Sequence, residues 1–263
     1  MTLHNQPDQP NPDNSPMQRW KLTVEYHGGP FVGWQKQEHG VSVQGVIEDA
    51  MAKFLGHPPP VYVCGRTDAG VHALAQVAHV NLPIRYSAKE VRDATNFHMK
   101  EWPVAIVTAE AVDDHFHARL SAVGRAYRYR ILNGRARPGL DAGRVWHIPV
   151  ELNVEEMAKA AKHLLGHHDF TSFRASHCQA KSPMKTLDKL DITRVGDEIW
   201  VDVAARSFLH HQVRNMTGTL RDVGWGTITA DDMKDILEAK DRSAAGQTAP
   251  SDGLYFMQAF YED

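Results

Sequence analysis

The sequence predicts an α+β fold made of two similar halves, each with a mainly antiparallel or mixed sheet and helices on one face. Segments with apolar residues at every second position alternate with segments in which apolar residues recur every three to four positions. This order repeats loosely along the chain, and 263 residues can bury one large core or two modest ones. We therefore predict domains at residues 19–110 and 111–263.

The N-terminal tail, residues 1–18, contains four prolines among Asn, Gln and Asp. A segment with so few apolar side chains cannot bury enough surface to offset the entropy lost on ordering. We expect this tail to be disordered.

The first half begins with a strand over residues 20–26, whose strict alternation gives one buried face. Apolar residues at 43, 46, 47, 50, 51 and 54 predict an amphipathic helix that ends at Gly56. The capping-box pattern Ser87-Ala88-Lys89-Glu90 begins a second helix, which runs towards Lys100. Further strands are predicted over residues 61–67, 74–82 and 104–107.

The second half follows a similar scheme. A helix is predicted from a cap at 153–156 to Gly166, and the dipeptide Gly196-Asp197 is typical of a two-residue hairpin. A last helix is expected around residues 233–237. Strands are predicted over residues 127–132, 192–195, 199–203 and 254–260.

Composition narrows the classes of protein that the chain can represent. The two cysteines, Cys64 and Cys178, are far apart, which argues against a disulfide scaffold and favours a reducing compartment. No segment has the ~20 apolar residues that span a bilayer, and no basic region precedes an apolar run at the N-terminus. We therefore expect a cytoplasmic enzyme with no membrane contact.

The net charge is −3, which is not typical of a nucleic-acid-binding protein, yet arginines concentrate between Arg119 and Arg144. This segment has one acid, Asp141, no lysine, and arginines at 119, 125, 128, 130, 135, 137 and 144. Planar guanidinium groups suit phosphates, so the cluster could bind RNA. The alternative is a solvated strand face, and both hold if one face packs while the other meets RNA.

The stretch Gly65-Arg66-Thr67-Asp68-Ala69-Gly70-Val71-His72-Ala73 places one carboxylate, that of Asp68, on a turn between two glycines. If residues 61–67 form a strand, Arg66 and Asp68 share a face, and the guanidinium favours the ionised carboxylate. Spacing alone favours a salt-bridged turn. The alternative is a charged nucleophile or base presented on a bend.

The whole nonapeptide resembles the signature of the TruA family of tRNA pseudouridine synthases. Five more segments resemble motifs of that family and occur in the same order: residues 31–37 with 42–44, 116–119 with 127–129, 166–173, 210–215 and 253–255. Six ordered motifs extend from about Trp20 to the C-terminus, which makes the resemblance highly specific.

The resemblance implies two ferredoxin-like halves of the pseudouridine-synthase type, with a positively charged active-site cleft between them, and a homodimer. It also implies a tRNA partner, with uridines 38, 39 and 40 of the anticodon stem-loop as targets. In the reaction the N1–C1′ bond breaks, the uracil rotates, and a bond to C5 forms. No group is lost and no redox change occurs, so we expect neither a cofactor nor a metal.

The resemblance also implies roles for individual residues. Asp68 is the catalytic residue, and Tyr127 stacks on the flipped uracil, where its phenol could also help to move the C5 proton. Arg214 pairs with Asp68, Arg66 orients or replaces the flipped base, and Leu254 packs beneath the base. Whether Asp68 attacks C1′, attacks the uracil ring or removes a sugar proton is left open by the sequence.

We expect the RNA backbone to contact Arg119, Arg125 and Arg128. Without the resemblance, Tyr127 and Leu254 would be interpreted as core residues and Arg214 as a surface charge. The histidine-rich segments at 113–117 and 167–169 lack the spacing of a metal site. Two other functions compete with the isomerase: a non-catalytic RNA-binding protein, and an aspartate-dependent hydrolase, which as a glycosidase would generally need a second carboxylate.

Overall fold

The computed structural model describes residues 15–262 and has a mixed α+β fold, as the sequence predicted. We predicted a disordered tail over residues 1–18, and its residues 1–14 lie outside the described residues. Its last two residues, Met17 and Gln18, belong to the first strand, where they pair with Pro83 and Leu82.

Ten strands and five α-helices make up the described part of the chain. The strands are β1 (Met17–Tyr26), β2 (Tyr62–Val63), β3 (His72–Pro83), β4 (Val104–Val112), β5 (Ala122–Asn133), β6 (Trp146–Ile148), β7 (Gly166–Asp169), β8 (Met184–Val195), β9 (Glu198–Ala205) and β10 (Leu254–Tyr261). The helices are α1 (Val43–Leu55), α2 (Ala88–His98), α3 (Val154–Lys162), α4 (Gln212–Trp225) and α5 (Asp232–Ala239).

All ten strands belong to one sheet, rather than to a separate sheet in each half. Its order is β4-β1-β3-β10-β5-β9-β8-β7, with β2 added to β3 and β6 added to β5. The last strand, β10, is parallel to β3 and antiparallel to β5, so it joins the strands of the first half to those of the second. The β5–β6 pair is also parallel, and the other pairs are antiparallel.

Most elements with a strong local signal are confirmed. The side chain of Ser42 caps α1 by accepting a hydrogen bond from the Gly45 N–H, and Gly56 closes this helix with φ +85°. The capping box of Ser87 and Glu90 begins α2. The hairpin turn at 196–197 joins β8 to β9.

The strand predicted over 61–67 is wrong beyond Val63, where β2 ends. From Cys64 onwards the chain is held by other groups. Gln76 donates a side-chain hydrogen bond to the Gly65 carbonyl, and the Thr67 hydroxyl lies 2.8 Å from the Tyr26 hydroxyl. Because Arg66 and Asp68 do not lie on a strand, the prediction that their side chains share one strand face is wrong.

Two helices differ from the prediction. Helix α3 ends at Lys162 rather than near Gly166, because Gly166 (φ +96°) already begins β7. Helix α4 was not predicted. It contains residues of low helix propensity, Thr217, Gly218 and Thr219 among them, and is nonetheless helical because it is buried on several sides.

The buried side chains form two clusters on the common sheet. The first joins β1, β3, β4, α1 and α2. The second joins β5, β8, β9, α3, α4 and α5. Tyr127 packs against both clusters, and β10 contributes Leu254 to the second and Phe256 to the first. Within residues 15–262 no helix is both long and apolar enough to cross a bilayer.

Candidate active site

Asp68 lies in the loop between β2 and β3, and this loop is fixed by close backbone approaches. The Trp34 N–H donates to the Thr67 carbonyl at 3.1 Å. Gly33 has φ +114°, and a Cβ there would lie 2.8 Å from the Thr67 oxygen. Gly70 has φ +79°, and a Cβ there would lie 2.4 Å from the Ser251 hydroxyl. Two glycines therefore let neighbouring segments hold the loop from both sides.

Three side chains from the start of α4 surround the Asp68 carboxylate. His210 Nε2 lies 3.2 Å from Oδ1, and His211 Nε2 lies 3.3 Å from Oδ2. Arg214 Nη1 lies 3.8 Å from Oδ2. Asp68 thus sits beside the N-terminal end of a helix, which itself favours a negative charge. Its side chain is 31% exposed, so the carboxylate is held but reachable.

Arg66 does not pair with Asp68 as its sequence position suggested. Among the residues described, no Arg66–Asp68 ion pair lies within 4.0 Å, and the guanidinium nearest to Asp68 is that of Arg214. The Arg66 side chain is exposed overall. Partial burial of its guanidinium and the nearby charge of Arg119 lower the pKa of this group. Arg66 and Arg119 therefore form an accessible pair of cations.

Arg214 is held in place by the segment that precedes β10. Its Nε donates to the Ala249 carbonyl at 2.7 Å, and the Ala249 N–H donates back to the Arg214 carbonyl at 3.1 Å. The guanidinium is 16% exposed. A fixed, mostly buried cation therefore faces the carboxylate, in the arrangement that the resemblance implied.

The two histidines were missed as site residues in the sequence. They are adjacent and directly precede α4, and their membership of the motif that contains Arg214 was the available signal. Burial, His210, Arg214 and Arg242 lower the pKa of His211, although Asp68 opposes them. This lowering favours the neutral imidazole. Because a carboxylate oxygen only accepts hydrogen bonds, a neutral His211 would bond to Asp68 only with its proton on Nε2.

The carboxylate opens into a cavity of about 520 Å³. The cavity is lined by Val32, Gln35, Gln37, Arg66, Thr67, Asp68, Ala69, His210, His211 and Arg214. Two segments that carry arginine or histidine, residues 66–69 and 210–214, thus share one space with the Asp68 carboxylate. Such a volume is typical of a site for a small molecule or a single nucleotide.

Tyr127 and Leu254 are not among the residues that line this cavity. The Tyr127 ring is held edge-on between Phe208 and Phe256, with centroid distances of 5.2 and 5.1 Å. Burial raises the pKa of the Tyr127 phenol well above its usual range, and the charge of Asp68 adds to this. The phenol therefore stays protonated and can donate a hydrogen bond. Leu254 is buried in the second cluster.

Two arginines that we expected on the RNA backbone are engaged within the protein. Arg125 donates to the carbonyls of four residues, namely Cys64, Arg119, Ala122 and Arg206. Arg128 forms a two-point ion pair with Asp202 at 2.7 and 3.0 Å and lies 3.8 Å from the centre of the Trp200 ring. Arg119 is exposed, and its guanidinium has no polar partner among the described residues.

Asp68, His210 and His211 also form a group that could hold a metal ion, since their ligand atoms lie within 4.8 Å of one another. Neither histidine-rich segment considered in the sequence forms such a group within residues 15–262. Arg214 and Arg66 add positive charge to the same cavity, which opposes binding of a divalent cation. The geometry is better explained by two imidazoles that lie beside a carboxylate.

His72, four residues after Asp68, anchors the end of the loop that contains Asp68. Its Nδ1 accepts a hydrogen bond from the Gly28 N–H at 3.0 Å, so Nε2 carries the proton and donates to the Asp252 carbonyl at 3.1 Å. The ring stacks on Tyr255 at a centroid distance of 4.7 Å. Burial lowers the pKa of His72 to about 4.

We expect this buried histidine to make the fold sensitive to acid. His72 binds its proton near pH 6.5 in the unfolded chain but only near pH 4 in the folded protein, so protons favour unfolding between these values. Its contribution is complete above pH 6.5 and is lost as the pH falls, by on the order of 3 kcal/mol. Urea unfolding of wild type and His72→Asn from pH 7.5 to 4.5 measures this loss.

In that comparison the His72→Asn variant starts less stable but loses less stability on acidification. His79 is buried too, and its pKa is lowered to about 3, so it contributes the same trend to both proteins. Equal pH slopes in the two proteins would show that His72 is not kept neutral by the fold.

Comparison with known proteins agrees with the motifs. A family model described as tRNA pseudouridine synthase matches residues 160–262. A tRNA pseudouridine synthase A of Paramagnetospirillum magneticum is 60% identical over 245 residues, which is 93% of this chain and 96% of the relative. Proteins of the same name from Rhodospirillum centenum and Zymomonas mobilis are 58% and 54% identical, each over 93% of this chain and 100% of the relative.

The identity extends along nearly the full length of both chains, and the residues around the carboxylate belong to the motifs that suggested the family. A solved structure of a Cbf5-Nop10-Gar1 complex is also similar, with a TM-score of 0.37 and 12% identity over 92% of this chain and 50% of that chain, too distant a likeness to inform the fold. On the strength of the relatives, the chain belongs to the tRNA pseudouridine synthase family, whose members are isomerases.

Proposed function

We propose that this protein converts uridine to pseudouridine at positions 38, 39 and 40 in the anticodon stem-loop of tRNAs, with Asp68 as the catalytic residue. One observation carries the proposal: the Asp68 carboxylate opens into a polar cavity and is contacted by His210, His211 and Arg214. A carboxylate that served only to brace a turn would not need three basic side chains from a distant segment beside it.

A uridine inside a stem must leave the stack before its glycosidic bond can be reached. The cavity of about 520 Å³ offers space for one extruded nucleotide, with Asp68 on its wall. Arg66 is exposed at the same wall, and we assign it the role of orienting the flipped base or filling the gap that the base leaves. Arg119, close to Arg66, would contact the phosphate backbone.

Arg214 keeps its role as the partner of Asp68, because its guanidinium is fixed and mostly buried beside Oδ2. Tyr127 and Leu254 form the floor below the base. Since the Tyr127 phenol stays protonated, we assign it stacking and hydrogen-bond donation rather than proton abstraction. Phosphate contacts by Arg125 and Arg128 would require these side chains to share donors that internal acceptors already occupy.

The division into domains at 19–110 and 111–263, with an active-site cleft between two ferredoxin-like halves, is also a proposal. It is supported by the two buried clusters, which Tyr127 and β10 bridge next to the Asp68 loop. We also propose that the protein forms a homodimer. We further propose a cytoplasmic location, because a tRNA substrate is found there.

Release of tritium from tRNA that carries uridine labelled at C5 tests the reaction, because forming the new bond at C5 expels that hydrogen. We expect release to reach the number of uridines at positions 38–40 and to disappear when these are replaced by cytidine. Tight tRNA binding without release would favour a non-catalytic RNA-binding protein. Release from other positions would contradict the proposed site.

A further inference from the structure

Helix α4 begins in an unusual way. Helices α1, α2 and α3 begin at Ser42, Ser87 and Asn153, each with extended backbone and a side chain that accepts a hydrogen bond from the first turn. Helix α5 also lacks a side-chain cap, but its N-cap, Asp231, has ordinary right-handed backbone. At α4 the N-cap is His211, which has φ +62° and makes no side-chain cap. This helix start therefore forgoes a stabilising cap and adopts a left-handed conformation that costs an L-residue about 1–2 kcal/mol.

The conformation has a clear geometric result, because it brings the imidazole to the catalytic carboxylate. His211 Nε2 lies 3.3 Å from Asp68 Oδ2, while His210 Nε2 lies 3.2 Å from Oδ1. The two rings lie against each other, with centroids 4.0 Å apart. Gln212 is buried and its Oε1 accepts a hydrogen bond from the Leu209 N–H at 2.8 Å, which fixes the turn that contains both histidines.

A carboxylate rotates readily about its last bond, since that torsion has no sharp minima. Contacts on both oxygens restrict the plane of the group, and small errors of placement lower reaction rates strongly. We propose that His211 is a positioning residue, which accepts a left-handed backbone so that its Nε2–H hydrogen-bonds to Asp68 and fixes the plane of the carboxylate. This inference rests on the proposed function for its catalytic consequence, but the contact of His211 with Asp68 does not.

The variant His211→Gly separates positioning from structural support. Glycine adopts φ +62° without strain and removes the imidazole. We expect the melting temperature to stay unchanged or to rise by up to about 3 °C. The single-turnover rate of tritium release should fall roughly 10- to 100-fold, the effect of one hydrogen bond to a charged group, with tRNA affinity unchanged. His211→Ala, which keeps the left-handed backbone, should be as slow as His211→Gly but less stable.

Lys240 provides the matched control. It is the other non-glycine residue with positive φ among those described, at +51°, and it is exposed at the end of α5. Lys240→Gly should relieve the same kind of strain and leave the rate unchanged. A His211→Gly protein that reacts at the wild-type rate, or one that loses rate and melting temperature together, would overturn the proposal.

A measurement on the free protein keeps this test independent of turnover. Long-range proton–nitrogen NMR distinguishes the two neutral tautomers of His211. We expect the proton on Nε2 and a shift of its resonance in Asp68→Asn. A proton on Nδ1, or no response to Asp68→Asn, would refute the hydrogen bond even in an active enzyme. Absence of tritium release from wild type would instead count against the proposed function.

Discussion

Asp68→Asn is expected to abolish tritium release from C5-labelled tRNA while keeping tRNA affinity within about 1 kcal/mol of wild type. The amide is neither a nucleophile nor a base, so every role considered for the carboxylate is lost. The substitution also removes the negative charge that faces the two imidazoles and the Arg214 guanidinium. Single-turnover tritium release measures the reaction rate, and filter binding with the same tRNA measures the affinity.

The loop itself should survive this substitution, because its backbone bonds do not involve the carboxylate. The Val71 N–H donates to the Asp68 carbonyl, and the Trp34 N–H donates to the Thr67 carbonyl. Asp252→Asn is the matched control: this exposed carboxylate lies on the adjacent turn but outside the cavity lining. Turnover should be lost in Asp68→Asn but not in Asp252→Asn. If Asp68→Asn weakened tRNA binding as much as turnover, the residue would be a docking group.

Elements with a local signal could be predicted from the sequence, and those that depend on distant partners could not. The caps at Ser87 and Asn153 act within one turn, so their residues alone predicted where α2 and α3 begin. Helix α4 has no such signal, since its composition is poor and its stability comes from burial. Residues 64–67 leave the strand because Gln76 and Tyr26, which are distant in sequence, bind them.

The residues of the candidate site also differ in whether a local signal predicts them. Asp68 was predicted as the catalytic residue because its whole motif is contiguous. Its partners come from residues more than 140 positions later, and no periodicity links the two segments. Arg125 shows a further limit: a cluster of arginines predicts phosphate contacts, but it does not reveal that the tertiary structure gives this guanidinium carbonyl acceptors.

Arg214→Met should have the second largest effect, because Arg214 contacts both the proposed catalytic residue, Asp68, and a structural partner, Ala249. Removal of the charge beside Asp68 Oδ2 should lower the single-turnover rate roughly 10- to 100-fold. The Ala249 carbonyl loses its donor, which should lower the free energy of unfolding by about 1–3 kcal/mol. Arg214→Lys retains the charge, but its ammonium cannot bond to Ala249 and face Asp68 at the same time. Its rate should therefore lie between those of wild type and Arg214→Met.

Arg242 separates these two effects within the same segment. Its guanidinium donates to the Ala245 and Gly246 carbonyls and to the side chains of Asn215 and Thr248, so it braces residues 245–249 without contacting Asp68. Arg242→Met should therefore lower the unfolding free energy by a similar amount and leave the rate nearly unchanged. If both variants slowed the reaction in proportion to their lost stability, Arg214 would only support the fold. A slower reaction in Arg214→Met alone would establish that its charge acts on the carboxylate.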